Sequence, residues 1–413
     1  MHCLLSFTAI LVGLAVRGVA ALERGKTFSL SVAEKPGHTR DFVRDWAAAR
    51  QKWGKGISKE IYPMLSLADT EGRVDVQPLG SDDIYIADVQ IGNPPQVLKM
   101  ALDTASSDMW MKSTDTVYRV NQEGPWAPQY YPNKSRTSHV IEEAAWGVEY
   151  MDGTAASGIA YTDTVRLGDF QVHNATIQSA QVVATRFEQE AGLSGIMGLA
   201  KSLPNSIKPP TDSFLDLLRP QLDRPVFTAD LRRNATGRFD FGYVDDDLAS
   251  DNITWLATDL DSPHWDVTFD LTTWDGGRDM TWYYHKFRTT IDTGTTLMFL
   301  PHELANLYWF NIPGIRVDPR LSDAYTFPCD LAKNLPNLYF KLPGTEHVLT
   351  IPGPYLNYGP VESDPGYCWA GMQSAEGLEV TIFGDIMLKA LFVAFDLEEG
   401  KVGFANKELD DVA

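Results

Sequence analysis

One short stretch that occurs twice constrains this chain more than any other feature. Residues 102–111 read LDTASSDMWM, and residues 291–301 read IDTGTTLMFLP. Each copy places an aspartate, Asp103 or Asp292, between apolar residues and a run of small and hydroxyl residues. Gly198 in SGIMGLA follows Asp103 by 95 residues, and Gly384 in TIFGDIML follows Asp292 by 92. A single Asp-Thr is usually a turn, but this matched spacing predicts two related half-chains with one aspartate each.

The body of the chain is predicted to be mostly β-structure. DDIYIADVQIG alternates apolar and polar residues and ends at Asn93-Pro94-Pro95, which is typical of a strand and a turn. Similar short runs bounded by Gly, Pro and Asp continue to the C-terminus. Helical patterns are few, as in SFLDLLRPQL and HELANLYW. No tandem repeat of 20–50 residues occurs, so a solenoid or propeller is not expected.

The two aspartates suggest a specific chemistry. If the halves pack about a pseudo-twofold axis, Asp103 and Asp292 can meet across it. Two carboxylates about 3 Å apart share one proton, as in the aspartic-protease dyad. The ionised member can take a proton from water and the protonated member can donate to a substrate carbonyl, which is hydrolysis without a metal, cofactor or covalent intermediate. Four hydroxyl residues are predicted to hold the carboxylates in place: Thr104, Ser106, Thr293 and Thr295.

The N-terminus predicts export. Residues 1–21 combine an apolar run with small residues at Ala20 and Ala21, as in a cleaved signal peptide. A membrane anchor is the alternative, but Arg17 shortens the apolar run below the length of a span. No other stretch is long enough to span, so no membrane association is expected.

Residues 22–72 form a distinct basic region. The first 72 residues carry 10 Lys and Arg against 7 Asp and Glu, whereas the whole chain carries 35 against 55. The acidic remainder repels nucleic acid and anionic membranes. Asp41–Trp53 has Phe42, Trp46, Ala49 and Trp53 at helical spacing. The charge contrast suggests a removable pro-segment bound to the body, with an ordinary N-terminal helix as the alternative.

Cysteines and sequons agree with an exported protein. Without the signal peptide, Cys329 and Cys368 remain, and a disulfide between them is favoured over two free thiols. Four asparagines lie in Asn-X-Ser/Thr sequons that could be glycosylated: Asn133, Asn174, Asn234 and Asn252.

These motifs together resemble the pepsin-like aspartic endopeptidases, most closely the secreted fungal penicillopepsin-type members. The similarity runs from about Ile84 to Ala405. DTASSDMW and DTGTTLMFLP resemble the two active-site motifs, and GIMGLA and IFGDIMLKALFVAFD resemble the segments that run beside each aspartate. LNYGP and YCWAGMQ also resemble the fungal branch, and Cys329 and Cys368 match the family's C-terminal disulfide. The resemblance implies an all-β, bilobal fold of two β-barrel lobes about a pseudo-twofold axis, with the active-site cleft between them.

The resemblance also implies roles for further residues. VEYMDGT would be the hairpin flap that closes over substrate, with Tyr150 bonded to Trp110 beside the S1 pocket. A surface hairpin tyrosine is the alternative for Tyr150, and ordinary core packing for Phe187, a weaker S1 candidate. The remaining predicted contacts to the peptide backbone are Gly153, Thr154, Gly294, Thr295 and Thr296. In zymogens of this family a pro-segment lysine pairs with the aspartates, and Lys52, followed by Trp53, is the candidate here.

Three residues of the predicted flap and first motif bear on the predicted activity and specificity. Ala105 stands where the first motif usually has Gly, and it would be strained if the turn required a positive φ. Met151 stands where the flap usually has Gly, and could reduce flap mobility or add an apolar contact. Asp152 occupies a position where fungal relatives carry an acid, so it could pair with a basic P1 side chain or be a simple turn residue.

The sequence therefore predicts a secreted, monomeric acid endopeptidase made as a zymogen. Its expected regions are the signal peptide (1–21), the pro-segment (22–72), an N-terminal lobe (73–260) and a C-terminal lobe (261–413). Its expected partners are peptide or protein substrates with bulky apolar residues, and its own pro-segment. A catalytically silent peptide-binding or inhibitor protein is one alternative, and delivery to a vacuole is the alternative location. A metal-dependent hydrolase is disfavoured because no HExxH-like pair occurs.

Overall fold

The computed structural model describes residues 27–34, 41–54, 85–118, 127–149, 155–167, 170–184, 188, 192–201, 203–275 and 281–409. The predicted signal peptide lies outside these residues. So do Tyr150, Met151, Asp152, Gly153 and Thr154 of the predicted flap, and Phe187.

Strands dominate the described residues, as predicted. The first eleven are β1 (Phe28–Glu34), β2 (Tyr85–Ile91), β3 (Gln96–Asp103), β4 (Met109–Lys112), β5 (His139–Glu149), β6 (Ala155–Leu167), β7 (Phe170–Val183), β8 (Gly195–Gly198), β9 (Val226–Asp230), β10 (Gly237–Phe241) and β11 (Thr254–Ala257).

A second series follows: β12 (Asp266–Trp274), β13 (Tyr283–Ile291), β14 (Met298–Leu300), β15 (Arg316–Asp318), β16 (Ala324–Pro328), β17 (Leu338–Lys341), β18 (Val348–Ile351), β19 (Asn357–Val361), β20 (Asp364–Ala370), β21 (Met372–Ser374), β22 (Thr381–Phe383), β23 (Leu391–Asp396) and β24 (Lys401–Asn406). The α-helices of the described residues with assigned bounds are α1 (Phe42–Trp53), α2 (Phe214–Leu218), α3 (His302–Trp309) and α4 (Asp385–Leu388). Among the described residues, no helix is long and apolar enough to cross a membrane.

The strands form an all-β, two-lobed body. A 13-stranded sheet has the order β11-β24-β23-β9-β10-β1-β2-β3-β8-β4-β7-β6-β5, and β2 also pairs with β6, which closes part of it into a barrel. A seven-stranded sheet, β18-β17-β12-β13-β22-β14-β21, and a four-stranded sheet, β15-β16-β20-β19, build the second lobe. The predicted fold class is confirmed.

The two halves repeat one pairing pattern around the aspartates. In the first half, β8 pairs parallel with β3 and antiparallel with β4. In the second half, β22 pairs parallel with β13 and antiparallel with β14. This repetition is the structural counterpart of the duplicated sequence.

The spaced glycines are explained by close backbone contacts. A Cβ atom on Gly198 would lie 2.4 Å from the Ser106 carbonyl oxygen, and one on Gly384 would lie 2.1 Å from that of Thr295. Both distances are far below van der Waals contact. Each glycine therefore lets its segment of chain pass directly against the loop that follows the aspartate.

The 13-stranded sheet joins segments from distant parts of the chain. Strand β1, from the predicted pro-segment, lies between β10 and β2. Strand β23, near the C-terminus, pairs with β9, and β24 pairs with β11. The predicted pro-segment and both predicted lobes therefore contribute strands to one sheet. The predicted division into consecutive regions did not include this connection.

Helix α1 forms where the sequence predicts it. The Asp41 side chain accepts a hydrogen bond of 3.1 Å from the Arg44 amide, which caps the N-terminus of the helix. Phe42, Trp46 and Trp53 on the predicted apolar face are all buried. The helix ends at Gly54, which forms an isolated bridge with Leu378 in the second lobe. The apolar face of α1 is thus buried against the body.

Candidate active site

Asp103 and Asp292 occupy equivalent positions in the two halves. Asp103 ends β3, and Asp292 directly follows β13. Both are buried, at 4% and 0% exposure. The Nζ atom of Lys52 lies within 3.0 Å of a carboxylate oxygen from each of them. The fold therefore brings together two aspartates that are 189 residues apart in sequence.

Each carboxylate is held by the loop that follows it. Asp103 accepts hydrogen bonds from the Ala105 amide, at 2.9 Å, and the Ser106 hydroxyl, at 2.7 Å. Asp292 accepts them from the Gly294 amide, at 2.9 Å, and the Thr295 hydroxyl, at 2.5 Å. These matched donors fix the orientation of both carboxylates.

Thr104 and Thr293 connect the two loops below the carboxylates. The Thr104 hydroxyl donates to the carbonyl oxygen of Ile291 at 2.8 Å, and the Thr293 hydroxyl donates to that of Leu102 at 2.7 Å. Each side chain thus reaches the strand of the opposite half. The supporting hydroxyls named from the sequence all lie within this network.

Ala105 fits its position without backbone strain. Among the described non-glycine residues, positive φ angles occur at Glu143, Asn174, Asn234, Ser322 and Asp323, and Ala105 does not join them. Its amide makes the bond to Asp103 that a glycine amide would make. The strain considered from the sequence would require a positive φ, which is not found here.

Helix α1 closes the site through its last two residues. Lys52 Nζ donates to Asp103 at 2.9 and 3.1 Å and to Asp292 at 3.0 Å. The indole Nε1 of Trp53 donates to the remaining oxygen of Asp292 at 3.0 Å. The sequence indicated the lysine but did not reveal that the neighbouring tryptophan also binds a carboxylate. With both groups in place, a peptide cannot reach the aspartates.

The charges of this cluster shift the pKa values of its members. Burial acts to raise the pKa of Asp103, but the charge of Lys52 and hydrogen bonds from Ser106 and Ala105 outweigh it, so the pKa is lowered. Burial raises the pKa of Asp292, and the negative charge of Asp103 adds to this despite Lys52. Of the two carboxyl groups, Asp292 is therefore the one that takes up a proton first as pH falls, and Asp103 the one that stays ionised longer.

His264 also lies at this site, and the sequence reasoning missed it. Its ring meets the Trp53 indole edge to face, with centroids 4.8 Å apart. Burial lowers the pKa of His264, and the charge of Lys52 lowers it further, against the charges of Asp266, Asp292 and Asp103. A histidine next to Trp265 gives no local sign that it faces the aspartates.

Further contacts hold α1 against the second lobe. Arg50 donates from one guanidinium nitrogen to the Ser374 carbonyl oxygen at 2.9 Å and from the other to the Glu376 carbonyl oxygen. Burial lowers the pKa of Arg50 to about 10. The Trp53 carbonyl oxygen accepts a bond of 2.7 Å from the Glu379 amide. The helix is therefore fixed by specific polar contacts as well as by apolar packing.

The other predicted site residues are placed as follows. Gly294 is exposed beside the carboxylates, and Thr296 is buried, at 8% exposure. Trp110 is buried against Trp146, with ring centroids 6.4 Å apart. Strands β5 and β6 pair up to Glu149 and Ala155, on both sides of the predicted flap residues, which lie outside the described ranges. The bond between Tyr150 and Trp110 therefore stays a prediction.

The predicted disulfide and sequons can be located. Cys329 and Cys368 are joined by a disulfide. All four sequon asparagines are exposed: Asn133, Asn174, Asn234 and Asn252. Within the described ranges, no three His, Cys, Asp or Glu side chains are arranged to hold a metal ion.

A family model for eukaryotic aspartyl proteases matches residues 84–407. The chain belongs to this family. Its aspartates, Asp103 and Asp292, both lie within the matched range, whereas Lys52 and Trp53 lie outside it. As a member of the eukaryotic aspartyl protease family, the chain is an aspartic endopeptidase.

Curated fungal relatives of this protease agree with the assignment. The chain is 35% identical to endothiapepsin from Cryphonectria parasitica over 81% of its own length and 78% of that protein. It is 36% identical to podosporapepsin from Podospora anserina, over 80% of its own length and 76% of that protein. Penicillopepsin-3 from Penicillium janthinellum is 31% identical to the chain, over 97% of this chain and 100% of the length of penicillopepsin-3. This last alignment extends across most of the predicted pro-segment.

Proposed function

We propose that this aspartic protease is made as a zymogen and acts at acid pH through Asp103 and Asp292. The observation that carries the proposal is the position of Lys52 Nζ, which lies within 3.0 Å of both carboxylates. A lysine so placed neutralises the buried pair at neutral pH and excludes substrate. Acid protonates the carboxylates and weakens this contact, so release of residues 22–72 follows a fall in pH.

The mechanism uses groups of this chain alone. After release of the pro-segment, ionised Asp103 takes a proton from water as the water attacks the scissile carbonyl carbon. Protonated Asp292 donates a hydrogen bond to the carbonyl oxygen, and the proton taken by Asp103 passes to the leaving amine. The amides of Ala105 and Gly294 and the hydroxyls of Ser106 and Thr295 keep the carboxylates oriented through these steps.

Substrate binding is assigned to the cleft between the lobes. An extended peptide would lie there, with Gly294, Thr295 and Thr296 bonding its backbone from one side and Tyr150, Gly153 and Thr154 from the flap. The expected substrates are peptides with bulky apolar residues around the scissile bond. Trp110 and Phe187 of the enzyme would lie near the S1 pocket that receives one of these side chains. Asp152 would admit a basic P1 residue, and a peptide library tests this: rejection of P1 Lys by the wild type contradicts it.

Export from the cell completes the proposal. The signal-like residues 1–21, the disulfide and four exposed sequon asparagines support a secreted, glycosylated protein, with delivery to a vacuole as the alternative location. The strongly acidic body disfavours nucleic acid and anionic membranes as partners.

A silent peptide-binding or inhibitor protein is the second candidate, since Ala105 departs from the usual motif. The unstrained Ala105 and its bond to Asp103 favour activity instead. An acid-pH peptide-cleavage assay separates the two candidates. Wild type and Asp88→Asn, which changes an exposed aspartate, should cleave peptide and be inhibited by pepstatin, a transition-state-like peptide. Asp292→Asn should lose at least 1,000-fold in kcat, on the order seen when a member of a catalytic group is removed. Activity that survives both Asp292→Asn and pepstatin would overturn the aspartate mechanism.

A further inference from the structure

A cavity of about 650 Å³ opens on the surface of the N-terminal lobe, and none of its described lining residues belongs to the candidate active site. We call it the tyrosine pocket, because Tyr118 and Tyr131 both line it. Val97, Gln129 and Lys134 line it as well. Flat aromatic surfaces beside amide and ammonium donors suit a sugar, because a sugar ring has apolar C–H faces and an edge of hydroxyl groups.

Hydrogen bonds hold both tyrosines of the pocket in place. The Gln96 side chain accepts a bond of 2.8 Å from the Tyr131 amide and donates one of 3.1 Å to the Tyr131 carbonyl oxygen. The Gln129 side-chain nitrogen donates to the Tyr118 hydroxyl. The tyrosine pocket is therefore already formed, and a ligand does not have to order its walls before binding.

The predicted glycosylation site Asn133 lies between two residues that line the pocket. It is the middle residue of a short 3-10 turn, Pro132–Lys134, and it is exposed. The Lys134 amide donates to the Tyr131 carbonyl oxygen at 3.0 Å, which closes this turn. Consecutive Cα atoms are about 3.8 Å apart, so the Cα atom of Asn133 is within about 7.6 Å of that of Tyr131. A sugar chain attached to Asn133 therefore begins at the rim of the tyrosine pocket.

Lys134 and Tyr131 together offer a sugar both kinds of contact. The Nζ atom of Lys134 lies 3.6 Å from the centroid of the Tyr131 ring. Lys134 is exposed, and an exposed contact between an ammonium and an aromatic ring is weak. A sugar ring can therefore take the place of the ammonium on the tyrosine, while the ammonium turns and donates to the sugar oxygens.

Attachment and charge both favour a sugar chain on Asn133 as the occupant. A group that is tied to the rim is present at an effective concentration on the order of millimolar, so even weak contacts to the pocket are made. Lys134 is the only charged residue among the described residues that line the pocket. An uncharged sugar chain fits such a lining better than an acidic or basic peptide does.

We propose that the tyrosine pocket holds the first two sugars, both N-acetylglucosamine, of the N-linked chain on Asn133. The proposal rests on the proposed function, in which the protein is exported and glycosylated. An apolar face of a sugar ring packs on Tyr131 or Tyr118, and hydroxyl and acetamido oxygens accept hydrogen bonds from Lys134. The same sugars cover Val97, which is otherwise 45% exposed. The bond between the two sugars is then shielded by the protein surface.

An endoglycosidase that cleaves between these two sugars tests the proposal on the full chain exported by a yeast. Mass spectrometry of glycopeptides measures the cleaved fraction at each sequon over time. The other three sequons, at Asn174, Asn234 and Asn252, serve as internal controls. In the native protein we expect the chain on Asn133 to be cleaved about tenfold more slowly than the chains at the control sites, as for a ring held on an aromatic side chain. After denaturation all sites should be cleaved at the same rate.

Variants assign the protection to the pocket. Tyr131→Ala should bring the cleavage rate at Asn133 to within about twofold of the control sites, whereas Tyr131→Phe keeps the ring and should keep most of the protection. Tyr284→Ala removes an exposed tyrosine of the other lobe, and this matched control should behave as wild type. Thermal unfolding shows whether each variant is folded, and Tyr118→Ala replaces Tyr131→Ala if the latter does not fold.

The outcomes separate the pocket from the proposed function. If the control sites carry sugar chains but Asn133 carries none, or its chain is cleaved as fast as theirs, the tyrosine pocket does not hold the chain. Full protection in a folded variant that lacks the tyrosine ring also overturns the proposal. If the exported protein carries no sugar chain at any sequon, glycosylation in the proposed function fails, and the pocket fails with it.

Discussion

Thr104 and Thr293 bind each other symmetrically across the centre of the molecule. The Thr104 amide donates to the Thr293 hydroxyl oxygen at 3.1 Å, and the Thr293 amide donates to the Thr104 hydroxyl oxygen at 3.0 Å. Both residues are buried. This exchange fixes the two active-site loops relative to each other, so that the neighbouring carboxylates share one rigid support.

The Lys52 contact should set the pH at which the precursor processes itself. The pKa of Asp103 is lowered from its ordinary value near 4, so the ion pair with Lys52 is fully formed above about pH 4. The ion pair is lost as pH falls through the lowered pKa, because Asp103 is then protonated. The pKa of Lys52 is raised, so the ammonium stays charged throughout this window and the carboxylate decides it. Lys52→Ala leaves a buried carboxylate unpaired, at a cost of about 3 kcal/mol.

We therefore expect Lys52→Ala to move the midpoint of self-processing upward by about one to two pH units. Gel analysis of precursor incubated between pH 2 and 7 measures the midpoint. Lys99→Ala, which removes an exposed ion pair with Asp88, serves as the control. An unchanged midpoint in Lys52→Ala would assign the zymogen contact to Lys55 or Lys59 instead.

His264 should add a second, milder dependence on pH. Its pKa is lowered in the precursor by burial and by Lys52. A histidine exposed after release titrates near pH 6.5. Proton uptake therefore favours release as pH falls below about 6.5, where the released histidine is protonated before the histidine of the precursor.

The change His264→Gln removes this contribution. We expect slower processing just below about pH 6.5 and an unchanged rate near pH 3, where the carboxylates are protonated. His139→Gln, at an exposed position, should match the wild type at every pH. Equal rates for His264→Gln and wild type across the whole range would show that His264 plays no part in release.

The equivalent positions Gly294 and Ala105 should respond differently to a change of one methyl group. A Cβ atom on Gly294 would lie 2.5 Å from Asp103 Oδ1, so Gly294→Ala must displace that carboxylate. We expect kcat to fall about 100-fold, as for a misplacement near 1 Å. Ala105→Gly deletes a methyl group from an unstrained position and should change kcat less than threefold. Both variants need only a peptide assay, and near-normal kcat in Gly294→Ala would contradict the argument.

The disulfide should contribute measurably to stability. It joins Cys329 to Cys368 across 39 residues. In the chain-entropy model such a loop is worth about 4 kcal/mol, and measured values run from about 2 to 5. Replacing both cysteines by alanine should lower the unfolding free energy by 2–4 kcal/mol in urea titrations. A midpoint equal to that of the wild type would show that the bridge is not stabilising.

Much of the site could be predicted from the sequence because its signals are local. The aspartates, their hydroxyl and amide donors, and the spaced glycines all lie in the two copies of one motif. Helix α1 was also predictable, because the spacing of Phe42, Trp46 and Trp53 and the cap at Asp41 depend on neighbours within a few residues. Lys52 followed from the resemblance of the whole pattern to a protease zymogen.

The tertiary structure decided which surface α1 covers. The Tyr358 hydroxyl and its partner Asp45 are 313 residues apart, and no periodicity in the sequence relates them. Neither Phe42 nor Trp369 indicates by itself that the two rings stack, and nothing near His264 shows that it faces Trp53. The sequence by itself determined two aspartates with their supporting loops and a basic helix. Only the packing of distant strands placed the helix on the aspartates, because such contacts depend on the whole fold and not on neighbouring residues.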